Sequence, residues 1–309
     1  ITTVNVMPGS GLLMSGQTAY LKLRDGNDIY DLILCRDVLR EICGGMKMAN
    51  GTNPRGEPPH PSSRARAASI VRERFVRAQE YREKIRTAGG ADRVSPRDLE
   101  LEGLAEVLDG RRVVHFHTHR ADDILTAIRL SKEFGFRLVL QHVSEAYRVA
   151  DEIARSGAHA SIIILDSPGG KLESLGFSNE NGRALEQAGV LTAFHTDDGI
   201  TDSRFFLRSA GFGVRAGMSR ERALEAMTIA GARMMGVENR VGSLERGKDA
   251  DFIVLSGDPL SVYTLVEQTW VEGSMVFDRA NPADRMFAVG GPDVFDGATT
   301  HTHDGEEGH

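Results

Sequence analysis

Between residues 113 and 235 the chain alternates short apolar runs with longer segments whose apolar residues recur three and four apart. The short runs at 137–143, 160–165 and 190–196 read as buried strands. The segments between them read as helices: 121–134, with Ile124, Ile128 and the Leu125/Leu130 pair as its apolar stripe; 145–156, stopped by Gly157; 179–187, stopped by Gly189; then 203–215 and 219–235. Near-continuous apolar strands alternating with helices predict a parallel sheet covered on both faces.

Upstream, residues 1–7 are rich in β-branched side chains and read as a buried strand closed by Pro8-Gly9-Ser10-Gly11. Residues 18–23 read as a second strand, 31–42 as a helix, and 45–49 as a third strand with Lys47 at its centre. Residues 50–55 are then a loop at that strand's C-terminal end, and 56–63 an irregular Pro-rich stretch. Residues 63–88 form an exposed helix whose Arg/Glu run is a solvated face. Residues 94–108 read as a helix entered at Ser95-Pro96-Arg97, with proline at its first position. From Val241 the texture changes to a small β unit: Asp251 leads into a strand at 252–255, Asp258-Pro259 turns the chain, and 271–277 is a further strand with a turn at Gly273. The Gly- and Asp-rich tail from Arg279 reads as disordered. Its histidines, His301, His303 and His309, stand among acids and are a weak metal-binding feature at most.

One strand differs from the rest. Behind Val113 and Val114, histidine occupies every second position: His115, His117 and His119. Period two puts the three imidazoles on one face. Imidazoles at a strand end are how a barrel presents nitrogen ligands to a metal, although a hydrogen-bonded histidine cluster has the same pattern. A doubly wound sheet and a (β/α)8 barrel both fit the alternation. The polar residues separate them, because His117, His142, His195 and Asp197 fall at the C-terminal ends of different strands, the active-site habit of the barrel.

Composition narrows the function classes. The 309 residues suggest one large or two ordinary domains, and a net charge of −7 argues against nucleic acid as a partner. No run is long and apolar enough to span a membrane. Cys35 and Cys43 give no disulfide framework and read as buried thiols. The chain opens at Ile1 inside a strand, so an upstream segment is expected to be missing, and cytoplasmic and periplasmic locations both stay open.

His142 follows His117 by 25 residues, one βα repeat, and Asp197 follows His142 by 55, two repeats. His, His and Asp on strands n, n+1 and n+3 resemble the amidohydrolase superfamily, and its imidazolonepropionase-like branch above all. The run Val241-Gly242-Ser243-Leu244-Glu245-Arg246-Gly247-Lys248-Asp249-Ala250-Asp251-Phe252 also resembles that family, where it opens the last strands of a β-sandwich beside the barrel. The resemblance covers roughly residues 1–279. It implies an N-terminally incomplete (β/α)8 barrel over 1–240, starting from strand 2, a β-sandwich portion over 241–279, and a tail over 280–309. Residues 1–7, 18–23 and 45–49 become strands 2, 3 and 4, the histidine strand becomes strand 5, and the family's strand-1 HxH is absent.

The same resemblance implies a site. His117 and His142 ligate a divalent metal, Zn²⁺ or a similar ion, one or two in number. Lys47, carboxylated, bridges two metals, or else snorkels out or pairs with a carboxylate. Asp197 is a ligand and the catalytic proton carrier. His119 competes with His117 as the strand-5 ligand, and His115, His119, His195, Asp198 and Arg120 are offered as substrate contacts or supporting residues. The implied activity is hydrolysis of a C–N bond in an amide, cyclic amide or dipeptide-like small molecule by metal-activated water, with a homo-oligomer left open. The alternative is a non-catalytic metal-binding or partner-binding barrel fragment that has lost strand 1.

Overall fold

A computed structural model of the chain describes residues 1–55, 61–164, 171–198 and 200–289. These residues form eleven strands: β1 (Thr3–Val6), β2 (Met14–Gln17), β3 (Ala19–Lys22), β4 (Met46–Ala49), β5 (Val114–Thr118), β6 (Leu138–His142), β7 (His159–Ile163), β8 (Thr192–His195), β9 (Phe252–Leu255), β10 (Val266–Val271) and β11 (Ser274–Asp278). Six of them make one sheet in the order β2-β4-β5-β6-β7-β8. From β4 to β8 every neighbour is parallel, and β2 alone runs antiparallel, against β4. The α/β class follows the expected pattern. Among the described residues the sheet is open, with β2 and β8 as its edges.

Pleating divides the parallel strands into two faces. Val114, Phe116, Leu138, Leu140, Ala160, Ile162 and Phe194 look toward the helices and form the main core. The register sets His115 beside Val139 and His117 beside Gln141, so the polar residues of β5 and β6 share the opposite face. The helix Arg64–Ala88 contributes Val71, Phe75, Ala78 and Tyr81 to the core, with the Phe75 ring stacked 4.9 Å from Phe134 and 5.1 Å from Phe136. It is therefore solvated on one side only. Ser63 caps its first turn and Gly89, at φ +77°, ends it. The helix Ala121–Phe134 has the bounds expected from its apolar stripe.

Several expectations fail, each for a physical reason. Residues 1–7 and 18–23 are not barrel strands 2 and 3: β1 and β3 pair antiparallel with each other in a sheet of their own. They are held instead to the C-terminal β unit, where the Lys22 ammonium meets Asp249 at 2.8 Å and Asp251 at 2.7 Å. Residues 31–42 yield only the short helix Ile29–Leu32, capped by Asp28, and then a loop closed by a Cys35–Cys43 disulfide, so these cysteines are not buried thiols. The helix after Pro96 begins at Leu99, because the Asp98 carboxylate accepts from the Leu101 amide, while the Ser95–Pro96 peptide is cis and lies outside it. Gly273 is the turn between β10 and β11, with β10 starting at Val266. Part of the tail is ordered, as the helix Pro282–Val289, whereas His301, His303 and His309 lie outside the described residues. Among the described residues no helix is long and apolar enough to cross a membrane.

Candidate metal centre

The histidines of β5 do not share one environment. His115 lies deep beneath the sheet's edge, and both ring nitrogens are engaged: Nε2 with the Tyr20 hydroxyl at 3.0 Å and Nδ1 with Gln141 Nε2 at 3.1 Å. Burial, with Lys47 and Arg137 nearby, pushes its pKa down to about 3. It is a satisfied core histidine, which leaves it no nitrogen for a metal or a substrate. His117, one pleat period on, is equally buried, but neither of its nitrogens has a hydrogen-bond partner among the described residues. His119, at the end of the strand, engages the Ser144 hydroxyl through Nδ1 at 2.8 Å.

His142 reaches this group by an irregularity of backbone. Its register partner is Thr118, which points to the helix side of the sheet. A regular strand would send His142 there too. Instead His142 and Val143 adopt left-handed backbone, with φ of +69° and +43°. Such values are uncommon for histidine and a clear outlier for a β-branched residue. The turn brings the His142 ring to 4.5 Å from His117, 5.0 Å from His119 and 4.9 Å from His195, centroid to centroid. His195 follows the regular pleat of β8, bonding Ser161 through Nδ1 at 2.8 Å and His142 Nδ1 through Nε2 at 2.9 Å. Asp197 sits just past β8, also left-handed at φ +50°, with its half-exposed carboxylate 4.0 Å from His142 Nδ1.

Lys47 lies on β4 beside His115, so it faces the same side of the sheet as His115 and His117. It is buried, and among the described residues it has no hydrogen-bond or ion-pair partner. It neither snorkels out nor pairs with a carboxylate. Burial lowers its pKa, partly opposed by the charge of Asp197. Arg120 and Asp198 do not enter the group. Arg120 pairs with Asp122 at 3.0 Å on the surface, and Asp198 accepts from the Ser203 amide at 3.2 Å, fixing the turn toward the next helix.

The sequence reading missed Glu173. It follows β7 in the short 3₁₀ turn Leu172–Ser174, and its side chain is only 1% exposed. Its Oε2 accepts from the Thr52 amide at 2.6 Å, while Oε1 is buried without a hydrogen-bond partner among the described residues, 3.9 Å from His117 Nε2. Burial opposes its charge, but the His117 ring and the Thr52 amide outweigh burial and hold the carboxyl at about 2. His117, His119 and Glu173 bring one donor atom each within 4.8 Å of one another. No periodic signal marks Glu173, since it lies in a loop and its neighbours come from β4 and β5.

These donors fit a divalent cation. Buried imidazole nitrogens and a carboxylate oxygen without hydrogen bonds are costly, by about 1–3 kcal/mol per group, and a metal ion is the partner that their chemistry admits. Burial and the neighbouring rings keep His119 and His142 neutral, the form that binds metal.

Known proteins are similar to this chain. The amidohydrolase from Thermotoga maritima MSB8 is similar in structure, with a TM-score of 0.80 and 33% identity, over 90% of this chain and 72% of that one. The amidohydrolase tasK of Hapsidospora irregularis is 28% identical over 194 residues, 62% of this chain and 20% of that protein. The imidazolonepropionase of Syntrophobacter fumaroxidans is 39% identical over 77 residues, 24% of this chain and 18% of that protein. This chain thus spans about a fifth of the length of these two curated relatives. The amidohydrolase family model matches residues 44–277, from the glycines before β4 to the end of the C-terminal hairpin. On that match, which takes in well over half of its length, this chain belongs to the amidohydrolase family.

Proposed function

We propose that the chain acts as a metal-dependent hydrolase of C–N bonds, on an amide, cyclic amide or dipeptide-like small molecule. In this reading β4 to β8 are strands 4 to 8 of a (β/α)8 barrel, and the polar face of the sheet is the barrel interior. One observation carries the reading. Buried, unpartnered donor atoms of His117 and Glu173 stand at the C-terminal edge of the sheet, with three further imidazoles packed around them. The family match supports the same chemistry.

His117 and His142 would hold the ion, Zn²⁺ or a similar divalent metal, which when bound would polarise the scissile carbonyl and acidify water. His195 occupies His142 Nδ1, which leaves Nε2 as the ligating nitrogen and fixes the ring. Ser161 in turn fixes His195. Lys47 is buried, and its amine is suited to take up CO₂, forming an N–C bond and losing a proton; the resulting carbamate would offer anionic oxygens to a second ion. The Asp197 carboxylate is half open to solvent, next to His142, and can touch substrate as well as the site. It takes the proton of the attacking water and passes it to the leaving nitrogen.

The test is elemental analysis of the purified chain, with a screen of amides, cyclic amides and dipeptides before and after chelation. Bound divalent metal and a hydrolysis that chelation abolishes are expected. A chain that takes up no metal and hydrolyses none of them would end this reading.

A further inference from the structure

We infer that Glu173 is itself a metal ligand, completing with His117 and His119 a three-donor site that this chain builds from β5 and the segment after β7. The inference rests on the metal-dependent reading above and adds to it a ligand that the histidine and aspartate spacing does not contain.

Glu173 is clamped on one oxygen and free on the other. Oε2 accepts from the Thr52 amide at 2.6 Å and has the Arg64 guanidinium 3.8 Å away. Arg64 is shared, being bonded more closely to Asp123 at 2.7 Å. The carboxylate lies against Gly51, where a Cβ would come within 2.4 Å of Oε2 and where φ is +85°. Only glycine admits both the backbone and the close approach. The loop after β4 is thus shaped around this carboxylate. Oε1, pointing the other way, meets no hydrogen-bond donor among the described residues.

What Oε1 meets is His117 Nε2, also buried and unpartnered, at 3.9 Å. That gap is too wide for a hydrogen bond. It falls within the span of two ligands of one ion, which at about 2.1 Å each stand no more than about 4.2 Å apart. His119 supplies the third donor. Its Nδ1 is engaged by Ser144, which leaves Nε2 to ligate in the manner of a metal-bound histidine oriented from behind. The three donor atoms lie within 4.8 Å of one another and would draw in by up to about 1.4 Å to reach the spacing of about 3.4 Å between ligands of a tetrahedral ion. Two neutral imidazoles and one carboxylate are the donor types of a catalytic zinc site, and His142 would add a third imidazole to them.

The experiment compares full-length wild type with Glu173→Gln, which keeps size and removes charge. Both are stripped with chelator and titrated with Co²⁺ and Zn²⁺, following the Co²⁺ visible spectrum and metal stoichiometry. Thermal melting without metal reports whether the fold is kept. Glu173→Gln is expected to melt like wild type and to lose more than about 100-fold in affinity, beyond the roughly 10–100-fold that loss of a supporting residue costs. A smaller loss overturns the inference. Anomalous scattering at the zinc edge from zinc-loaded wild-type crystals gives a second reading that needs no variant. Zinc is expected at about 2.0–2.2 Å from Glu173 Oε1. Zinc bound elsewhere in the histidine group removes Glu173 as a ligand but leaves the hydrolase reading standing, whereas a wild type that takes up no zinc or cobalt removes both.

Discussion

Two regions of this molecule bury polar atoms and treat them in opposite ways. At the seam between β3 and the C-terminal β unit, the fully buried Lys22 ammonium is met by Asp249 and Asp251. Each carboxylate is itself occupied further, Asp249 by Arg240 at 2.8 Å and Asp251 by the Glu272 amide at 2.9 Å. At the C-terminal edge of the parallel sheet, His117 and Glu173 are buried as deeply, yet donor atoms of both remain unpartnered among the described residues. A closed network has no bonding capacity left and serves to join chain segments. An open one retains capacity for a ligand, at a cost in stability that binding recovers. Strained backbone divides the same way. Of the five non-glycine residues with positive φ among the described residues, His142, Val143 and Asp197 adjoin the open group and Glu272 adjoins the closed one.

The contrast can be broken from either side. The largest expected effect is on chemistry: Asp197→Asn should lower turnover by ~10²–10⁴-fold while metal content and melting temperature stay near wild type. Amide hydrolysis assays with elemental analysis check this, and near wild-type turnover would move the proton-carrier role elsewhere. At the closed network the loss should be of stability. Lys22→Met removes the cation that Asp249 and Asp251 share, leaving Arg240 on Asp249 alone, and should cost about 3–5 kcal/mol in denaturant unfolding, with metal stoichiometry unchanged. A smaller effect belongs to His142→Ala, which should lower bound metal by at least about tenfold in affinity without unfolding the chain. Equal metal binding in wild type and variant would take His142 out of the ligand set.

The smallest effect sharpens the comparison through pH. Burial raises the pKa of Asp249, but Lys22 and Arg240 outweigh burial and hold the carboxyl below its ordinary value of 3.8. Its folded-state pKa is therefore depressed. The stability it contributes is full above pH 3.8 and is lost as pH falls through the folded value. Unfolding monitored by the fluorescence of Trp270, the single tryptophan, which stacks on Phe252 in this unit, should begin to ease below about pH 3.8 and not before. A midpoint that shifts between pH 5 and 7 would point to other groups.

Much of the sheet was legible because its signals are local and periodic. The apolar stripe of 121–134 gave its helix to the residue, and the valines ahead of three alternating histidines gave β5. The strands of the β1–β3 pair were legible as strands but not as members of a sheet. Pairing is a long-range choice, and a four-residue strand looks the same whichever partner it takes. The Cys35–Cys43 bridge was misread because cysteine count says nothing about whether a loop brings two thiols together. The helix expected over 31–42 failed in the same segment, its apolar residues lying on a disulfide-closed loop instead of a helical stripe.

The sequence by itself determined the alternation of strands and helices, the face that carries His115 and His117, and the βα spacing that sets His142 and Asp197 at strand ends two repeats apart. These follow from period two, period 3.6 and repeat length, all of which are properties of nearby residues. Only the tertiary structure decided which imidazoles are open. It closed His115 with Tyr20 and Gln141, turned His142 against its pleat into the group, and left His117 unpartnered. It alone brought Glu173 from beyond β7 to the loop after β4, against Gly51 and Thr52, 121 positions apart in the chain. Whether a buried polar atom is satisfied depends on which groups meet it in space, and no pattern along the chain carries that information.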